Sequence, residues 1–300
     1  MQARILYRDG LMLVMDKPAG LPVHRGPKGG ASLEDFFDAL RFGLPRPPAL
    51  AHRLDKETSG CLVLGRHRKA LAHLGLLFKH GKVGKTYWAV VEGGPDAADG
   101  VIDLPLARLD ATRGWWMKPD PKGMPSVTRW RVMGRATLVA EENPTAVGNA
   151  DNRGRRTDQD RPPLPLRGRV GEGGALGMLD AAEVPPSRPA QGRSASPARG
   201  EVNDVTASQP GDVNRSVTWL ALEPLTGRTH QLRVHCAAMG WPITGDNIYG
   251  TAPRFGGPGL HLHAREIVVP LGKNRDPVRV VAPVPAHMRD LLCACGFPKE

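Results

Sequence analysis

Cysteine is scarce in this chain and falls at no useful spacing. Cys61, Cys236, Cys293 and Cys295 form neither a CxxC pair nor a Cys/His cluster of zinc-ligand spacing, so the sequence offers no metal site and no disulfide framework. They read as reduced, structural thiols. Long apolar runs are missing too: no stretch approaches the roughly 20 residues that a membrane-spanning helix needs. With Arg4, Arg8 and Asp9 in its first ten residues, the chain shows no signal-peptide apolar core, and the expectation is a cytoplasmic protein. Neither a GxGxxG fingerprint nor a P-loop occurs, so nothing points to a dinucleotide or to ATP.

What is present is basic charge. The 300 residues carry a net charge of +11, which points to a polyanionic partner because neutralisation of phosphates by Lys and Arg dominates non-specific nucleic-acid affinity. Residues 141–214 do not share it. That stretch has no Phe, Trp or Tyr, is crowded with Pro, Gly, Ser and Arg, shows no apolar periodicity, and holds nine arginines against eleven acids. It reads as a disordered insertion. The other 226 residues therefore carry +13, where a folded surface can aim the charge.

Around the insertion the pattern is one of strands. Ile5 to Tyr7 and Leu11 to Met15 flank Asp9-Gly10, a tight-turn dipeptide, and predict a hairpin. Residues 61–64 predict a strand, followed by a helix carrying Leu71, Leu74, Leu77 and Phe78 and stopped at Gly81. Residues 87–91, 127–132, 217–222 and 267–269 are further strands. The expected fold class is α+β, with a mostly antiparallel sheet, flanking helices, and residues 1–140 and 215–300 in one domain. Strand-like segments on both sides of 141–214 place the insertion at a hairpin tip, where added length costs least.

Two polar clusters stand out. His52, Arg53, Asp55, Lys56, Glu57, Thr58 and Ser59 lead straight into an apolar strand, which is either a functional loop on a rigid support or a solvated charge run. Leu225 to His235 is the second. Gly227 makes a turn, Thr229 is the expected helix N-cap, and Leu232, Cys236 and Met239 form a stripe ending at Gly240. His230 and His235 are not at i, i+4 spacing and have no carboxylate to complete a site, so structural or RNA-contacting roles are favoured over metal.

These runs carry a resemblance. HRLDKETSG at 52–60, KTYWAVVEG at 85–93, PLTGRTHQLRVH at 224–235 and GDNIYG at 245–250 occur in an order that resembles the RluA-type pseudouridine synthase family. The resemblance extends from Asp16-Lys17-Pro18-Ala19-Gly20 to Leu260-His261-Leu262-His263-Ala264. It implies a bent, mostly antiparallel sheet crossed by a central catalytic cleft, and an enzyme that isomerises uridine in RNA without a cofactor. It also implies roles. Asp55 would be the catalytic carboxylate, Arg228 its basic partner, Tyr87 the aromatic face for the uracil, and Arg53 the side chain that fills the RNA stack. His52, Thr58, Thr229, His230, Gln231 and Arg233 would contact RNA. Against these stand simpler roles, a half-buried strand aromatic for Tyr87 and a surface charge at a helix mouth for Arg228.

The chemistry suits such groups. Isomerisation breaks N1–C1′, turns the uracil and rejoins it through C5, with no electrons exchanged. A carboxylate at the sugar can act as nucleophile or base, and an opposite charge at about 4–6 Å keeps it ionised. Many members of the family carry an S4-type RNA-binding domain ahead of the catalytic one, whereas here the catalytic hairpin starts within ten residues. RNA choice is therefore expected to rest on the catalytic domain's own basic surface, with a ribosomal RNA or tRNA stem-loop as partner and a monomeric enzyme. Two other readings compete with it: a catalytically silent RNA-binding or ribosome-assembly protein on the same fold, and a glycosylase or nuclease using Asp55, Glu57 and Asp103.

Overall fold

The computed structural model describes residues 1–26, 29–110, 115–139, 214–272 and 275–299. All of the described elements belong to one unit, Met1–Ala140 with Asp212–Glu300. The strands are β1 (Ile5–Arg8), β2 (Met12–Lys17), β3 (Ala49–Leu50), β4 (Ser59–Gly65), β5 (Gly84–Glu92), β6 (Asp99–Asp103), β7 (Leu106–Arg108), β8 (Met117–Pro119), β9 (Val127–Leu138), β10 (Arg215–Pro224), β11 (Leu262–Val269) and β12 (Val278–Val281). The α-helices are α1 (Arg68–Lys79), α2 (Gln231–Ala238) and α3 (Ala286–Ala294).

Ten strands form one mixed sheet in the order β1-β2-β4-β11-β5-β10-β9-β6, with β3 on β4 and β12 on β11. The expected mostly antiparallel sheet is found. Its one parallel contact is short: His263 and Ala264 of β11 lie beside Ser59 and Gly60 of β4. There the backbones approach so closely that a Cβ at Gly60 would collide with the Ala264 carbonyl, and Gly60 has φ +103. Only glycine fits that junction. Register shifts at Ala264/Glu266 and at Trp219/Leu220 bend the strands locally.

The first hairpin forms as its turn residues dictate, with Asp9 Oδ1 accepting from the Leu11 and Met12 amides at 2.7 Å each. Its strands, together with β4, Leu74 of α1 and a 3₁₀ segment (Leu33–Leu40), make one hydrophobic core. A second core lies under α2, where Leu232 and Cys236 meet Ala89, Val91, Leu220 and Leu222. On the opposite face Met288 and Leu292 of α3 cover Val90, Val217 and Trp219. Because β5 and β10 are covered on both faces, their centres read as continuous apolar runs rather than alternating ones. Tyr87 packs against both the first and the second core, so it sits at their seam.

Strands β9 and β10 pair with Leu138 opposite Arg215. The expected insertion at 141–214 leaves the sheet between those two residues and, but for Asn214, lies outside the described residues. The structure also contains β6, β7, β8, β12 and α3, which the sequence patterns had not singled out.

Candidate active site

A cleft of about 1670 Å³ opens between the loop before β4, the start of β5 and the turn between β10 and α2. Asp55 stands in it with a side chain 31% exposed. The loop that presents Asp55 is tightly held. Its Asp55 carbonyl accepts from the Thr58 amide at 3.2 Å, which closes a turn, and Leu54 is buried in the first core. The Lys56 carbonyl accepts from the Gly20 amide at 3.0 Å and from Lys17 Nζ at 2.9 Å.

Lys17 is wholly buried, and its ammonium also donates to the carbonyls of Pro18 and Leu21 at 2.8 Å each. Burial pulls its pKa down to about 8, while Glu57, Asp55 and Asp16 oppose that shift. Three carbonyls satisfy its three donors, so the residue acts as a clamp under the turn. Sequence reasoning gave it no role, although a lysine ending an otherwise apolar strand, with proline next, was the available signal.

Three of the expected RNA contacts, His52, Gln231 and Thr58, line the cleft, and the first two are also bonded into the fold. His52 Nε2 accepts from the Val63 amide at 3.0 Å, and its ring stacks on Phe78 with centroids 4.5 Å apart. Burial first, and then Lys85, push its pKa down to about 3, so it is neutral. Gln231 is 3% exposed: its Oε1 accepts from Thr226 Oγ1 at 2.7 Å and from the Arg228 amide at 3.0 Å, and its Nε2 donates to the Val127 carbonyl and Thr128 Oγ1 at 3.0 Å each. A side chain so fully engaged has nothing left for a ligand. Thr58 is buried, and its Oγ1 faces no hydrogen-bond partner although the residue lines the cleft.

The start of α2 also differs from expectation. Its N-cap is His230, in the left-handed conformation at φ 53, and not Thr229. The two arginines of this region lie on either side of that residue. Arg228 precedes it, and its Nε donates to the Pro125 carbonyl at 3.2 Å; it forms no ion pair with Asp55 among the described residues. Arg233 follows it and is buried, gripping Asp246 through two bonds of 2.8 and 2.7 Å. Asp246 in turn accepts from the Ile248 and Tyr249 amides at 2.9 and 3.0 Å. Burial alone would raise the Asp246 carboxyl, but Arg233 and those amides hold it below its usual range. Burial likewise opposes the Arg233 charge, yet Asp246 foremost and Asp55 after it raise its pKa. The expected Arg228–Asp55 ion pair is not formed among the described residues, and the buried guanidinium that feels the Asp55 charge is Arg233.

His230 completes the surroundings of Asp55. Its Nε2 is 3.8 Å from Asp55 Oδ2, and its Nδ1 is 2.9 Å from the Tyr249 hydroxyl. Burial lowers its pKa against the pull of Asp55, so the contact joins a neutral imidazole to a carboxylate. Tyr87 lines the same cleft; burial, then Asp55, push its phenol above the ordinary value, so it keeps its O–H. Arg53 is exposed at the cleft, and Thr229 lines it half-buried. Glu57 and Asp103 do not line it, so the hydrolytic reading loses the acids it named beside Asp55; the other carboxylates of the lining are Glu223 and Glu266. Among the described residues no group of three His, Cys, Asp or Glu side chains could hold a metal ion.

A carboxylate, an aromatic face and an inward guanidinium in a basic cleft define a site for nucleoside chemistry. The family model described as RNA pseudouridylate synthase matches residues 11–238, and the chain belongs to that family. It is similar to an uncharacterized RNA pseudouridine synthase of Zymomonas mobilis, 31% identical over 290 residues that cover 96% of each chain. It is also similar to the ribosomal large subunit pseudouridine synthase C of Vibrio cholerae, 28% identical over 96% of this chain and 68% of that protein. Human RNA pseudouridylate synthase domain containing 4 shares the fold, with a TM-score of 0.61 and 22% identity over 99% of this chain and 95% of its own. The protein is an RNA pseudouridine synthase, an isomerase, as the RluA-type resemblance implied.

Proposed function

We propose that this isomerase acts on uridines in ribosomal RNA or a tRNA stem-loop, with Asp55 as the group that works on the target nucleoside. The observation that carries the assignment is its position: a partly open carboxylate in the cleft, 3.8 Å from His230 Nε2, with Tyr87 and Arg233 lining the same cleft. An ionised carboxylate at the sugar can attack or deprotonate there, or steady developing positive charge. Tyr87 supplies the aromatic face for the uracil, and base–aromatic stacking of about 1–3 kcal/mol helps offset the few kcal/mol that extrusion of the base costs. Arg53 fills the vacated stack. Arg228, Thr229 and Lys85 at the cleft meet phosphates, and Arg233 is assigned the partner role first given to Arg228. The name of the Vibrio cholerae relative supports a ribosomal substrate.

Tritium release from RNA carrying 5-tritiated uridine tests the central assignment, because C5 gives up its hydrogen when it takes the sugar. The wild type is expected to release tritium and Asp55→Asn to fall by on the order of 10³-fold or more. Comparable release by the two proteins would remove Asp55 from the chemistry. Mapping pseudouridine in total RNA with and without the gene identifies the substrate, and lost sites outside ribosomal RNA and tRNA would contradict the proposed class. The same reading makes the enzyme a cytoplasmic monomer, which a solution mass near twice 32.3 kDa would contradict.

A further inference from the structure

Strands β7 and β8 form a separate two-stranded sheet beside the cleft, and Trp115 sits just before β8. Its indole is 55% exposed and lines the cleft that holds Asp55. One edge is fixed: the ring meets His230 in a T-shaped contact, centroids 5.1 Å apart at 75°. The hairpin is fastened as well, since the Met117 amide donates to the Tyr249 hydroxyl at 3.0 Å, and that hydroxyl is 2.9 Å from His230 Nδ1. A side chain needed only to pack against His230 would bury its large apolar area there. Instead half of the indole is held open towards the cleft by a support anchored at three residues.

The position of the ring narrows what could cover it. His230 separates it from Asp55, with one contact of 5.1 Å to the indole and one of 3.8 Å to the carboxylate. A uridine at Asp55 and Tyr87 fills the space next to the carboxylate, so the indole is within reach of the next nucleotide along the strand. The exposed arginine Arg108 and half-buried Arg228 line the same cleft, which suits the phosphates on either side of such a base. Every nucleobase offers a π-face, so an open indole with basic neighbours grips one without reading its identity.

We propose that Trp115 is a stacking platform for the nucleobase adjacent to the target uridine. The platform holds the strand on one side of the extruded nucleotide and fixes how far the target projects towards Asp55. It rests on the reading that Asp55 works on an extruded uridine, and its test is separable from that reading because stacking is measured without turnover.

The probe is a nonamer oligouridylate with one central 2-aminopurine, titrated with the full chain. The wild type is expected to quench the fluorophore. Trp115→Ala is expected to abolish the quench and weaken binding by roughly 5- to 150-fold, the range of one base–aromatic stack, while Trp115→Phe recovers most of both. Irradiation of the same nonamer with 5-bromouridine in place of the fluorophore should cross-link to Trp115, as located by mass spectrometry. Equal affinity and quench in wild type and Trp115→Ala would overturn the platform. So would a Trp115→Ala enzyme whose kcat for tritium release falls while its KM and nonamer affinity stay unchanged, because that pattern marks a prop for His230. Loss of tritium release in Asp55→Asn with the quench intact leaves the platform standing and tests only the catalytic assignment.

Discussion

A guanidinium supports a carboxylate only when it faces it, and the turn into α2 holds two candidates five residues apart. The left-handed residue His230 lies between them; Arg228 is turned to the Pro125 carbonyl and Arg233 inward to Asp246. Arg228→Ala is therefore expected to leave kcat within about threefold while weakening RNA affinity severalfold, as loss of one phosphate contact does. Arg233→Lys is expected to lower kcat by about tenfold or more, because lysine lacks the planar fork that grips Asp246 at two points. Single-turnover tritium release and RNA titration separate the two effects; a large kcat loss confined to the Arg228 variant would restore the original pairing. The placing of Asp55 and Tyr87 at one cleft was expected from the family resemblance, since local pattern alone gave only a polar loop before a strand and a strand aromatic. The inward orientation of Arg233 was not legible. It rests on Asp246, thirteen residues further on, which leaves no mark in the local pattern.

At the scale of elements, Gln231 joins three segments: the turn at Thr226 to Arg228, the first residues of β9, and α2 itself. Gln231→Ala would leave the Arg228 amide without its partner and remove one bond each from the Val127 carbonyl, which keeps the Leu225 amide, the Thr226 hydroxyl, which keeps the Val127 amide, and the Thr128 hydroxyl, which keeps His235. A loss of about 1–3 kcal/mol is expected, since one amide loses its partner and the other three groups each give up one of their bonds. Urea denaturation measures it, and a loss below about 0.5 kcal/mol would show that these bonds are replaceable. Strands with a turn signal or a long apolar run were readable, as β1, β2, β4, β5 and β10 show. Helix α1 was readable from its stripe of Leu71, Leu74, Leu77 and Phe78. The short strands β6, β7, β8 and β12 carry few buried side chains each, so pattern alone separates them poorly from loop. The parallel contact between β4 and β11 joins residues about 200 apart in sequence, and only the packed sheet reveals it.

Across the whole molecule, buried neutral histidines make stability depend on pH in a direction that can be worked out. His263 has no exposure, its Nδ1 lies 2.9 Å from Ser59 Oγ, and burial pulls its pKa down to about 4. His52 is pulled to about 3, and burial also lowers His230, His235 and His261. In the unfolded chain each titrates near 6.5. Below that pH the unfolded state binds protons that the folded state refuses, so stability falls as pH drops from about 6.5 towards 4 and is fully present above about 7.5. Each pH unit inside the window costs about 1.4 kcal/mol for a fully buried histidine, so His263 alone accounts for about 2 kcal/mol at pH 5. Among the carboxylates, Asp35 and Asp246 are held below their ordinary value and lose their contribution only at lower pH, whereas burial raises Asp16, which offsets part of the histidine loss. The urea midpoint is therefore expected to be markedly lower at pH 5.0 than at pH 7.5, and His263→Asn is expected to shrink that difference. Equal midpoints at the two pH values would mean that these imidazoles gain protons without unfolding, and that the sheet junction at Ser59 tolerates a charge.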